Sequence, residues 1–302
     1  PALQKICDAY DVELCNLGVF GWGSEGFNQG EPTLVLNYHG QEVGRMAMHF
    51  VHEGIPTPVR PATWQAVPAQ TPARASGASS IGEALQKLMA HPNIASKHWI
   101  IRQYDHEVQG GSVVKPLVGP QQDGPSDAAV VRPKLDSNKG IALSVGLQTG
   151  LSEKTPGGDS YWMVLAAIDE AVRNAVCVGA DPTRIAILDN FCWPRCDDPK
   201  VFGTLVRAAE ACYDGAIAYR TPFVSGKDSL SNQFTTEDGK LITIPPTMLI
   251  SAMGMVDDVR RCLTMDAKAP GHVLLIVGVT DSAMGGSHYA QVADISRFNQ
   301  QI

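Results

Sequence analysis

No stretch of the 302-residue sequence reaches the 18 or more uninterrupted apolar residues of a membrane span, and no charged n-region precedes an apolar core at its start. A basic excess is missing too. Against 31 Asp and Glu stand 24 Lys and Arg, and the net charge of -7 argues against a nucleic-acid-binding surface. Cysteine is sparse: the seven residues Cys7, Cys15, Cys177, Cys192, Cys196, Cys212 and Cys262 are odd in number and scattered among apolar neighbours, so buried free thiols are expected rather than a disulfide framework. The eight histidines lack ligand spacing, and no nucleophilic triad assembles from local residues. What is present is globular composition, 44% apolar and 18% charged, with length for about two domains. A cytoplasmic protein, with neither membrane nor nucleic acid as partner, is the class these features leave.

The chain opens on Pro1 inside a helical pattern and closes on SRFNQQI, just after a new strand and helix have begun. Both ends read as cut, as in an internal fragment of a longer polypeptide. Residues 1–55 read as a helix (ALQKICDAY), a strand (VELCNLGVF) and a hairpin of TLVLNY and EVGRMAM around His39-Gly40. Pro, Ala and Ser dominate 56–78, which marks a linker, and a short helix IGEALQKLMAHP follows. WIIRQY, SVVKPLV and IALSVGL read as strands. Apolar residues at 161, 164, 165, 168, 171, 172, 175 and 176 then give a helix, closed by Gly179 and Pro182. Next come a strand RIAILDNF, a helix over about 199–218, a strand PFVS, a hairpin at Asp238-Gly239, the strand PTMLISAMGMV and a last strand HVLLIVGV. TDSAMGGSHYAQVAD reads as a glycine-rich turn opening a helix.

Two motif matches fail on context. Gly21-Trp22-Gly23-Ser24-Glu25-Gly26 fits the dinucleotide fingerprint but leads into another strand where a helix is required, and Gly226-Lys227-Asp228-Ser229 lacks the first glycine and the hydroxyl residue of a P-loop. Cys192-Trp193-Pro194-Arg195-Cys196 has no second ligand pair nearby and reads as a structural loop. Four features carry chemistry. Asp127 closes an acidic, glycine-bearing loop ahead of an apolar strand. Glu170 and Asn174, spaced i,i+4, share one side of a mostly apolar helix; an ordinary solvated stripe is the alternative, and spacing alone favours that alternative. Ser225-Gly226-Lys227-Asp228-Ser229 reads as a donor-rich turn with a further carboxylate. Gly110-Gly111 with Lys115 offers backbone N–H groups and a point charge to phosphates. Carboxylates plus an amide suit Mg²⁺ rather than zinc, and together the four suggest a Mg²⁺·nucleotide site.

These residues lie in VQGGSVVKPLVG, DGPSDAAVV, DSYWMVLAAIDEAVRNAVCVGADP, ILDNF, PFVSGKDSLSN and DDVRRCLT, which together resemble the phosphoribosylformylglycinamidine synthase (formylglycinamide ribonucleotide amidotransferase) family, relatives of aminoimidazole ribonucleotide synthetase. The resemblance is dense over about 105–265 and looser in the flanks. It implies a mixed α+β and α/β fold, a tandem of A-type (mixed sheet plus helices) and B-type (α/β sandwich) domains truncated at both ends. Residues 1–60 would end a B-type domain, 61–98 link, 99–265 form an A-type nucleotide-binding domain and 266–302 open a second B-type domain. The implied activity is an ATP-dependent C–N ligase that converts formylglycinamide ribonucleotide, glutamine-derived ammonia and ATP to the amidine in purine biosynthesis. Mg²⁺ and ATP or ADP are the implied cofactors, and a glutaminase domain or subunit and the remaining synthetase domains the implied partners. By family position Asp127, Glu170, Asn174 and Asp228 would hold metal, while Gln109, Gly110, Gly111, Lys115, Ser126, Asp189, Gly226 and Ser229 would meet nucleotide or substrate. His106 and the CWPRC loop depart from the family pattern. No Gly-x-Cys-x-Gly elbow accompanies the cysteines, so a glutaminase is not in this chain. Two alternatives remain: a non-catalytic half that holds a structural nucleotide or docks partners, and a different ATP-dependent relative such as a selenophosphate synthetase or a thiamin phosphate kinase.

Overall fold

In the computed structural model, which describes residues 1–20, 31–69, 80–104, 106–279 and 285–292, the chain divides into two units, Pro1–Arg60 and Pro61–Ile302. The first holds helix α1 (Ala2–Ala9), an antiparallel hairpin of β1 (Thr33–Tyr38) and β2 (Gln41–Ala47), and a short helix α2 (Met48–Glu53). Val12–Phe20, expected as a strand, makes no ladder and is exposed, because among the described residues no strand lies beside it. The fingerprint-like Gly21–Gly26 lies outside the described residues.

The second unit starts with α3 (Ile81–Ala90), whose first turn is capped by Ser80 Oγ accepting from Glu83 N–H at 3.2 Å. WIIRQY, expected as a strand, instead gives a single helical turn, α4 (His98–Ile101), closed by i to i+4 bonds such as Arg102 N–H to His98 O at 3.0 Å. A six-stranded mixed sheet follows, built from β3 (Ser112–Val114), β4 (Ala129–Val131), β5 (Gly140–Leu147), β6 (Ile185–Cys192), β7 (Phe223–Ser229) and β10 (Thr247–Val256) in the order β3-β4-β5-β10-β6-β7. Between β7 and β10 a separate hairpin pairs β8 (Gln233–Thr235) with β9 (Leu241–Thr243).

One face of the sheet is covered by α5 (Ser160–Cys177) and α6 (Pro199–Tyr219). Asp159 caps α5 by accepting from Tyr161 N–H at 2.8 Å, and Gly179 at φ +114° takes the left-handed conformation that ends it. Pro199 stands in the first turn of α6 behind its cap, Asp198. Alternation on the strands directs Ala142 and Ser144 of β5, Met248, Ile250 and Ala252 of β10, and Ile185, Ile187 and Phe191 of β6 to that face. There they meet the fully buried Met163, Val164, Ala167, Ile168 and Ala171. The CWPRC segment is structural: Trp193 is fully buried and its indole N–H donates to Thr204 Oγ1 at 3.0 Å.

Pairing directions decide where the site lies. β5 and β6 both run antiparallel to β10, β7 runs parallel to β6, and β4 runs antiparallel to β3 and β5. One end of the sheet therefore collects the C-terminal ends of β3, β5, β6 and β7 with the start of β4. His272–Val279, expected as a strand, is not one: among the described residues it has no neighbouring strand to bond, and Leu274 and Val277 are almost fully exposed. The short helix α7 (His288–Val292) is the last described element.

Candidate functional site

The short length of β4 creates the first feature. It pairs with β5 only as far as Ala129 opposite Leu143, so the edge of β5 beyond that point has unpaired backbone groups. Glu170 and Asn174, on the side of α5 facing that edge, satisfy them. Glu170 Oε2 accepts from Leu147 N–H at 2.7 Å and from Gln148 Nε2 at 3.0 Å, while Asn174 Nδ2 donates to Val145 O at 3.1 Å. These bonds orient both side chains. With its NH₂ group committed to Val145, Asn174 presents Oδ1 as a free acceptor, and Glu170 keeps Oε1. Extending the β4–β5 register by two residues sets Asp127 opposite Val145. Asp127 thus stands at the same end of β5 as Glu170 and Asn174, on the face of the sheet that Val145 shares and α5 does not cover.

The second feature spans β6 and β7. SGKDS, expected as a turn, is the body of the edge strand β7: Asp189 pairs with Gly226, Asn190 with Lys227 and Phe191 with Asp228. Asp189 and Asp228 share one face, and a Cβ at Gly226 would overlap the Asp189 carboxylate. Lys227 N–H donates to Asp189 Oδ1 at 3.2 Å. Partial burial and the charge of Asp228 nevertheless hold the Asp189 carboxyl above its ordinary range. Beneath them Cys212 is pushed up to about 12 by burial and the two carboxylates, which favours the thiol form.

Not all the expected residues meet. β10 and β6 lie between β5 and β7, so Asp228 stands three strand spacings, roughly 14 Å, from the Glu170 group, too far to share one ion with it. Gln109, Gly110 and Gly111 sit at the other end of the sheet. Gly111 O accepts from Arg132 N–H at 2.7 Å, and the five residue steps from 127 to 132 span roughly 17 Å. Lys115 lies at the Asp127 end but is paired with Glu107 at 3.2 Å. Ser126 Oγ donates to Ala128 O at 2.7 Å and shapes the entry to β4; Ser229 closes β7, its carbonyl accepting from Trp193 N–H at 2.8 Å. Gln148 and Glu107 carried no motif signal, because their roles come from where β5 ends and which cation lies near.

The carboxylates and amide oxygen at the end of β5, and separately the carboxylate pair at β6–β7, are all-oxygen donors of the kind that suit Mg²⁺, which takes few protein ligands and fills its octahedron with water and phosphate oxygens. Among the described residues no group of three or more His, Cys, Asp and Glu side chains forms a cation site, which leaves no thiol or imidazole centre.

Residues 125–256, from the Asp127 loop to the end of β10, match the model of the AIR synthase related protein, N-terminal domain. This part of the chain resembles an AIR-synthase-related domain. The whole chain is also similar to phosphoribosylformylglycinamidine synthase subunit PurL of Anaeromyxobacter dehalogenans, at 34% identity over 95% of this chain and 35% of the relative. PurL of Gloeobacter violaceus is 30% identical over 86% of this chain and 34% of the relative. The chain therefore spans about a third of the length of the relatives it matches. Among solved structures, Thermotoga maritima PurL complexed with ADP shares the fold, with a TM-score of 0.50 and 24% identity over 77% of this chain and 33% of that one. Asp127, Glu170, Asn174, Asp189 and Asp228 all lie within the matched residues.

Proposed function

We propose that this chain is the nucleotide-binding part of an ATP-dependent C–N ligase, phosphoribosylformylglycinamidine synthase, acting in the cytoplasm on formylglycinamide ribonucleotide in purine biosynthesis. The observation that carries the reading is the placement of Asp127, Glu170 and Asn174 at the end of β5, with Glu170 and Asn174 held by β5 backbone so that Oε1 and Oδ1 remain available. In the proposed reaction the substrate's amide oxygen attacks the γ-phosphorus, ADP leaves, ammonia adds to the carbon and the C–O bond breaks to release phosphate and the amidine. Mg²⁺ bound at these oxygens would neutralise phosphate charge as it develops. This chain's own contribution is to hold the donor oxygens in place without rearrangement; Asn174 cannot turn its amide without losing Val145 O.

ADP, bound by the structural neighbour, is the nucleotide proposed here, and a glutaminase supplying ammonia the proposed partner. Residues 99–265 are proposed as the A-type domain, with 1–60 and 266–302 belonging to B-type domains on either side. Among the described residues no helix is long and apolar enough to cross a membrane. Glu170→Gln keeps an oxygen for Leu147 N–H while removing the charge, so it separates ligation from folding. Measured as ADP formation against Mg²⁺ concentration in the assembled parent enzyme, it should raise the Mg²⁺ requirement on the order of tenfold. An unchanged requirement would overturn the reading.

A further inference from the structure

Within the linker-like composition of residues 56–78, Thr63 and Trp64 are held against α5 and α6. Thr63 N–H donates to the carbonyl of Pro199 at 2.9 Å, in the first turn of α6. One turn on, a Cβ at Gly203 would overlap the Thr63 carbonyl, so the segment's backbone lies directly on the helix. Trp64 donates its indole N–H to Glu153 Oε1 at 3.1 Å, and the Arg207 guanidinium lies over its ring at 4.7 Å and over Tyr161 at 4.8 Å. The same guanidinium grips the α5 cap Asp159 at 2.6 Å, while Glu153 also accepts from Ser160 N–H at 2.8 Å and Ser160 Oγ at 2.6 Å.

We propose that the mouth between the N-terminal ends of α5 and α6 is a docking groove for an extended segment bearing Trp after a small polar residue, and that residues 61–64 fill it in cis as a strap that locks the two helices together. Two elements contribute the anchors: α6 supplies the Pro199 carbonyl, the space left by Gly203 and the Arg207 cation, and the loop entering α5 supplies the Glu153 carboxylate. Releasing the strap uncovers Gly203 and takes from Glu153 its indole partner, loosening the loop that leads into α5.

Gly203→Ala discriminates sharply. Alanine is the better helix former, so with nothing docked on α6 the variant gains stability; with the strap docked, the new methyl displaces it. Hydrogen exchange of the Thr63 amide is the readout, with Trp64→Ala as the second variant. The expected result is exchange faster on the order of tenfold at Thr63 in both variants, with the β5 and β10 amides still protected. Unchanged exchange at Thr63 in either variant would overturn the strap.

Discussion

Asp258 shows how one carboxylate is tied in just beyond the end of β10. It accepts from Arg260 N–H at 3.1 Å and from the guanidinium at 2.8 and 2.7 Å, where it caps the turn containing the buried Val259. The Arg260 side chain, and then its backbone N–H, hold the carboxyl down at about 2. A group lowered on folding contributes stability that is present above its unfolded value and is lost as pH falls through the folded one. Asn caps as well as Asp, so Asp258→Asn isolates the charge. Thermal unfolding should show the variant less stable at pH 7, with the difference shrinking as pH falls through about 2; a difference that does not shrink would assign the effect to packing. At the same scale, the i,i+4 spacing of Glu170 and Asn174 was readable in the sequence. Their partners, Leu147 N–H and Val145 O, were not, because those groups are free only where β4 stops short.

Among the elements, α5 was the most legible. Its cap, its apolar period and its terminating glycine are all local, and the helix runs from Ser160 to Cys177 between them. β7 was not. Its polar residues Ser225–Ser229 carry no alternation, and only the parallel pairing with β6, a partner some thirty residues earlier, makes them a strand. His272–Val279 fails in the opposite sense: its residues suit a strand, but a strand exists only with a neighbour to bond. The α5–α6 contact offers a test at this scale. Ile168 is fully buried and packs where Gly215 of α6 leaves room, since a Cβ there would meet Ile168 Cδ1. Ile168→Ala should cost about 2–5 kcal/mol by urea denaturation with an unchanged m-value. A cost below about 1 kcal/mol would mean the helices do not depend on this contact.

For the whole molecule, the sheet topology matters more than any single motif. By running β3, β5, β6 and β7 in one direction it brings Lys115, Asp127, the Glu170 and Asn174 grip, and the Asp189 and Asp228 pair to one end, and sends Gln109–Gly111 to the other. The central claim is that this end takes a nucleotide through a divalent cation. Calorimetric titration of the chain with ADP, with and without Mg²⁺, and again with Asp127→Asn, tests it most directly. The account predicts Mg²⁺-dependent ADP binding weakened at least about tenfold by the substitution. Absence of ADP binding, or binding indifferent to both Mg²⁺ and Asp127, would contradict it.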